Sequence, residues 1–171
     1  MKPGDHPEFF RVQPPPGTSR ESTIRLDRHG TFWQGDDPIN DPPALVDAFH
    51  RWISRHPDDH RYILTNGYDW TYFAVEDVPF IVRAVKAESD HLSLRLSDGT
   101  VVPFPPHDLT EGDDQALYVP VMVRGQTFEA RFSQQAQNDL APWLIETPDG
   151  VGIRVGEHVL VPRPRSAQAA S

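Results

Sequence analysis

The densest set of side chains able to do chemistry is His56-Pro57-Asp58-Asp59-His60. Imidazoles and carboxylates are the ligands that zinc and other divalent ions accept, and a metal-activated water would serve a hydrolase. On that reading His56, Asp58 and His60 form the metal set. Pro57 interrupts the helical spacing that would bring both imidazoles to one face. The competing reading is a polar connector rich in turn formers. A sister stretch, Thr147-Pro148-Asp149-Gly150, keeps the turn and lacks both histidines, which favours the connector. His29, His50, His91, His107 and His158 are scattered, with no serine or carboxylate at a recognisable spacing. The acidic stretches Asp36-Asp37 and Glu111 to Asp114 lack the alternating ligands of a calcium loop. No glycine-rich phosphate loop, GxSxG elbow or HExxH helix occurs, so no catalytic residue and no cofactor is expected.

Binding chemistry is better represented. Strand alternation over 68–75 puts Tyr68, Trp70 and Tyr72 on one face, with Phe73 and Val75 on the other. If a helix covers the second face, the first offers an aromatic strip to an unknown protein or small-molecule ligand; burial on both sides is the alternative. Glu76 and Asp77 follow in Val75-Glu76-Asp77-Val78-Pro79-Phe80. Pro79 denies its own position a ladder N–H, so this run reads as a corner with Asp77 accepting backbone hydrogen bonds. The functional alternative is a carboxylate pair facing a cleft and meeting a cation, Arg83 or Arg124. The expected binding set is therefore Tyr68, Trp70, Tyr72, Glu76 and Asp77, acting through a groove between two halves.

The elements that must hold these residues show a repeated phrase. Trp52-Ile53 is followed after three residues by Pro57-Asp58, and Trp143-Leu144 after three residues by Pro148-Asp149. Large apolar residues, Phe49 and Leu140, stand three before each tryptophan. Leu45, Val46, Phe49, Trp52 and Ile53 recur at helical spacing and predict a helix over 42–55, capped from Asn40-Asp41 and ended by Pro57. His50 falls on its polar side. Ser133 caps a second predicted helix over 133–145, which Pro142 should kink or split. Hairpins are expected at Asn66-Gly67, Asp98-Gly99 and Arg124-Gly125. The fold class is α+β: duplicated β-β-α-β-β units of mainly antiparallel sheet, each with one packed helix. Phe49, Trp52, Ile53, Leu140, Trp143 and Leu144 should be buried. We divide the chain into a flexible proline-rich arm (1–22), a first repeat (23–86), a second repeat with its preceding hairpin (87–162) and a disordered tail (163–171). Phe9-Phe10 are the arm residues suited to docking locally.

Bulk properties narrow the class. The 171 residues suit one domain or two closely packed halves. A net charge of −9 repels phosphate backbones and anionic lipid, so neither nucleic acid nor membrane is an expected partner. The absence of cysteine excludes disulfides and thiolate chemistry. Without an apolar leader segment the expected location is cytoplasmic.

Gly30 and Trp33, Asn40 to Val46, Tyr62-Ile63-Leu64-Thr65 and above all Val75-Glu76-Asp77-Val78-Pro79-Phe80 resemble the bacterial DUF1285 family, a domain of unknown function. The similarity continues through Val121 to Gly125 and Val159 to Pro162. Where the family usually has Thr-Pro-x-Glu after its Tyr-x-Leu strand, this chain has Thr65-Asn66-Gly67-Tyr68. The resemblance implies a small α+β protein with repeated motifs, no established enzymatic activity and links to signal transduction. It supplies no catalytic residues.

Overall fold

A computed structural model describes residues 1–165, and its contacts divide the chain into Met1–Asp77 and Val78–Ser171. Among the described residues strands predominate and two α-helices occur. None of the helices is long and apolar enough to cross a membrane.

The first unit holds strands β1 (Ile24–Leu26), β2 (Phe32–Gln34) and β3 (Asp37–Ile39), then helix α1 (Pro43–Trp52). Strands β4 (Ile53–Arg55), β5 (Tyr62–Thr65), β6 (Trp70–Tyr72) and β7 (Ala74–Val75) follow. One sheet has the order β3-β2-β1-β7, antiparallel except for β7 beside β1; the other is the antiparallel meander β4-β5-β6. Phe32 is fully buried where α1 meets the first sheet. Its ring lies 5.4 Å from Phe49, 4.8 Å from His50 and 6.1 Å from Phe73.

Helix α1 differs from expectation at both ends. Pro42 occupies the cap position and no side chain caps the helix, so neither Asn40 nor Asp41 acts there. Pro43, the first helical residue, has no N–H to leave unsatisfied. The helix stops at Trp52 rather than near Pro57 because Ile53 turns extended and pairs with Leu64, starting β4. A β-branched residue with a ladder partner prefers the strand. His50, expected in solvent, is only 4% exposed because the helix presents it to Phe32.

The second unit begins with β8 (Phe80–Ala87), β9 (Leu92–Leu96) and β10 (Val101–Pro103). Next come β11 (Thr110–Glu111), β12 (Leu117–Val123), β13 (Gln126–Phe132) and helix α2 (Gln134–Asp139). Strands β14 (Leu144–Thr147), β15 (Gly150–Val155), β16 (His158–Leu160) and β17 (Arg163–Pro164) complete the described chain. The main sheet runs β10-β9-β8-β13-β12-β11-β17, parallel at β8/β13 and β11/β17; β14-β15-β16 is an antiparallel meander. Its core includes Phe80, Leu94, Phe128, Phe132 and Leu140. Strand β8 pairs with β9 and β13 and so lies in this unit.

Local chemistry explains these elements. Ser133 accepts the Ala136 N–H at 3.1 Å and caps α2. The α-helix ends at Asp139, and Pro142 sits in a separate 3-10 turn, Ala141–Trp143. Arg124 and Gly125 have φ of 48° and 78°, the two positive values that a two-residue β12–β13 hairpin demands. Of the expected core, Ile53 and Leu140 are buried, while Phe49, Trp52 and Trp143 are half-buried. Leu144 is 48% exposed, since the 3-10 turn ends before it and β14 starts there.

Each unit carries more strands than the expected β-β-α-β-β. Three consecutive strands precede each helix (β1–β3; β11–β13), and a three-stranded meander follows it (β4–β6; β14–β16). A last strand returns parallel to the first, β7 on β1 and β17 on β11. Arg163 and Pro164, expected in the tail, form that returning strand; 166–171 lie outside the described residues.

Candidate functional site

The aromatic residues gather at the β5–β6 hairpin of the first unit. Its register, Thr65 opposite Trp70 and Ile63 opposite Tyr72, leaves 66–69 as the connecting loop. Asn66 Oδ1 accepts the N–H groups of Tyr68 and Asp69, both at 2.8 Å, and Thr65 Oγ1 donates to the Asp69 carbonyl at 3.0 Å. Asp69 Oδ1 accepts the Trp70 N–H at 2.9 Å and Arg20 Nη1 at 2.6 Å. The Arg20 hydrogen bond is the main reason the Asp69 carboxyl lies below its ordinary range.

Trp70 and Tyr72 share a face as expected, their rings 5.1 Å apart and edge-on. The strip is not open, because Trp70 is 6% exposed. Tyr68 does not join it: it lies in the loop, 64% exposed, with Lys2 Nζ 5.6 Å from its ring centroid. Glu76 and Asp77 end the first unit beyond β7. The Glu76 N–H donates to the Leu26 carbonyl at 2.8 Å, and Asp77 is half-buried in the run to buried Val78.

His56 completes the aromatic cluster. Its ring stacks on Tyr72 at 5.7 Å and lies 5.1 Å from Trp70 and 6.0 Å from Phe10. Nδ1 accepts the Asp58 N–H at 3.1 Å, which leaves the ring proton on Nε2, donated to the Phe10 carbonyl at 3.2 Å. Both nitrogens are thus engaged. Asp58 receives the guanidinium of Arg11 through Nη2 at 2.9 Å and Nε at 3.1 Å, and this bidentate bond holds its carboxyl low. His60 is exposed with φ 62°. The expected set of His56, Asp58 and His60 does not converge. Among the described residues no group of three His, Cys, Asp or Glu side chains could hold a metal ion.

An ionic lattice borders the cluster. The Tyr72 hydroxyl donates to Asp59 Oδ2 at 2.6 Å. Burial and that bond push the phenol up to about 12. Burial works to raise Asp59, but the bonds from Tyr72 and the Arg61 N–H prevail and hold it low. Arg61 lies 3.7 Å over the Tyr72 ring and binds Glu21 at 2.8 and 2.9 Å. Phe10, Arg11, Arg20 and Glu21 have partners 40 to 50 residues away along the chain, which no local pattern could announce. The Phe9-Phe10 pair was the one signal present.

Beside this cluster is a recess of about 190 Å³. Ile24, Phe49, Trp52, Leu64 and Trp70 give it apolar walls, and Asn66, Asp69 and Thr71 add polar groups. Trp52 packs on Phe49 at 5.6 Å. Trp70 Nε1–H is buried and meets no acceptor among the described residues, an arrangement that costs about 1–3 kcal/mol. The second unit has a groove of about 350 Å³ lined by Pro103, Pro105, Pro120 and Met122, with no ionisable group in its lining.

These features define a two-unit, strand-rich α+β protein with an aromatic recess on its first unit. Two crystal structures share the fold. One is a DUF1285 family protein from Silicibacter pomeroyi, with TM-score 0.63, 19% identity and coverage of 84% of this chain and 81% of that one. The other is a DUF1285 family protein from Shewanella baltica, with TM-score 0.50, 17% identity and coverage of 72% and 94%. The chain has the DUF1285 fold, as the Val75–Phe80 run led us to expect. No family model and no curated protein matches it.

Proposed function

We propose that this chain is a non-enzymatic binding module that holds a ligand or a protein segment at the aromatic end of its first unit. The observation that carries the reading is the recess formed by Phe49, Trp52, Leu64 and Trp70. Phe49 and Trp52 are left half in water at a cost that a packed core would recover, and concave apolar surface with a few polar groups is the usual form of a ligand site. The DUF1285 resemblance extends the reading to a role in signalling.

Duplication is part of the same proposal. The matched order of three strands, helix, meander and returning parallel strand supports descent of both units from one ancestor. On that view the halves diverged in chemistry. The position three before the tryptophan is Phe49 in the first unit and fully packed Leu140 in the second.

The test is a titration of ¹⁵N-labelled protein with a set of small aromatic fragments, following the four tryptophan indole N–H signals. Binders should move the Trp52 and Trp70 signals and leave Trp33 and Trp143 in place. A set that moves none of them, or moves only Trp33 and Trp143, would rule out this site.

A further inference from the structure

We propose that the His56–Trp70–Tyr72 cluster recognises a peptide in which an aromatic residue is followed by arginine, and that the chain's own Phe10-Arg11 occupies it in cis. The inference rests on the binding-module reading and names the partner's chemistry.

The N-terminal segment makes the contacts of a ligand. The Phe10 ring lies 6.0 Å from both Trp70 and His56, and its carbonyl accepts from His56 Nε2. The next residue, Arg11, forks onto the two Asp58 oxygens. One backbone carbonyl and two successive side chains are thus read by an imidazole N–H, an aromatic floor and a carboxylate. That set matches a peptide: the fork fits guanidinium, and the imidazole donor addresses main chain. Strand addition is not the mode, because the β6 edge is already taken, with the Tyr72 N–H donating to the Arg20 carbonyl at 2.7 Å.

The occupant is held lightly. No residue of Met1–Arg11 is buried, and the segment forms only the 3-10 turns Pro3–Asp5 and Pro7–Arg11. Apart from the cluster, it meets the hairpin through the Gly4 N–H on the Gly67 carbonyl at 2.8 Å and through exposed Lys2, whose Nζ reaches the Asn66 carbonyl at 3.5 Å and lies over the Tyr68 ring. The Arg11–Asp58 pair is exposed on both sides, at 47% and 46%, so screening by water leaves it weak. Pro14-Pro15-Pro16-Gly17 joins the segment to the body as a tether. A tethered copy competes at a local concentration of roughly millimolar, so an outside peptide must either outbid it or arrive when it is displaced. The net charge of −9 favours a basic partner.

The experiment uses the full chain carrying Phe10→Ala and Arg11→Ala, and a fluorescent peptide of residues 6–12 (His-Pro-Glu-Phe-Phe-Arg-Val), followed by anisotropy. The variant should bind the peptide roughly tenfold or more tighter than wild type. A peptide lacking the Phe10 and Arg11 side chains should fail to bind, and Asp58→Ala added to the variant should weaken binding by roughly three- to tenfold. Should the double variant not fold, Arg11→Ala alone tests the same prediction with a smaller gain over wild type. A folded variant that binds no better than wild type, or binding indifferent to Asp58→Ala, overturns the proposal. If the peptide fails while aromatic fragments still move the Trp52 and Trp70 indoles, the cis-occupancy idea falls and the binding-module reading stands. If neither probe binds, both fall.

Discussion

Tyr72 offers the sharpest check on the geometry of the cluster, because its phenol is held up to about 12 from an ordinary 10.0 by burial and by the Asp59 carboxylate. A hundredfold gain in proton affinity would be worth about 2.7 kcal/mol in a dry site. Tyr72 is half-buried, and screening by water reduces the figure to roughly 1–1.5 kcal/mol. Below pH 10 the folded and unfolded chains both keep the proton and the Tyr72–Asp59 contribution is whole. As pH rises from 10 towards 12 the unfolded chain sheds its proton first, so stability falls with pH through that window. Titration of the tyrosinate ultraviolet band for wild type minus Tyr72→Phe isolates this phenol. Urea unfolding of both proteins between about pH 9 and pH 11 should show the wild type losing its advantage. A Tyr72 transition at the ordinary value, with no pH-dependent gap between the two proteins, would refute the Tyr72–Asp59 bond and the burial of the phenol.

Three further outcomes follow from the contacts. Trp70→Ala should cost about 3–5 kcal/mol in chemical denaturation, as deletion of a large buried ring does, whereas Trp70→Phe keeps an aromatic wall, removes the unpaired N–H and should cost clearly less. Asp27 accepts the N–H groups of His29 and Thr31 and Trp33 Nε1–H, each at 2.9 Å; burial works to raise it, and these bonds bring it below 3.8. Its contribution is therefore present above pH 3.8 and lost as pH falls through the folded value, so Asp27→Asn should lower stability at pH 7 by about 1–2 kcal/mol and flatten the acid limb of a stability–pH curve. Ser133→Ala should cost about 1 kcal/mol and lower the melting temperature, since Ser133 caps a helix of only six residues.

What could be read in the chain was what short-range chemistry decides. Ser133 as a cap, Pro142 as a helix breaker and Arg124-Gly125 as a turn act within a few residues of themselves, and each behaves accordingly. Elsewhere a distant partner decides, and no local pattern carries it. Ile53 leaves the helix because Leu64 pairs with it, and His50 is buried because the Phe32 ring waits under the helix. The aromatic strip of Trp70 and Tyr72 was visible by alternation. Its cover was not, because Phe10 and His56 reach it from other parts of the chain.

The repeated tryptophan phrase shows how a pattern can mark architecture and leave function open. In both copies the tryptophan is the last residue of a helical turn and the next residue opens a strand, Ile53 in β4 and Leu144 in β14. The following Pro-Asp turns that strand into its hairpin partner, β5 or β15. What differs lies in the positions the phrase does not specify. Phe49 keeps its neighbouring tryptophan as the wall of a recess, while Leu140 sinks to 1% exposure in the core of the second unit. Between Asp58 and Tyr62 the first copy adds Asp59, His60 and Arg61, and Asp59 and Arg61 are the residues that grip Tyr72. The second copy passes from Asp149 straight to Gly150 and has no such residues to spend. A shared backbone event with unlike side chains around it is what places the His56–Trp70–Tyr72 cluster in the first unit.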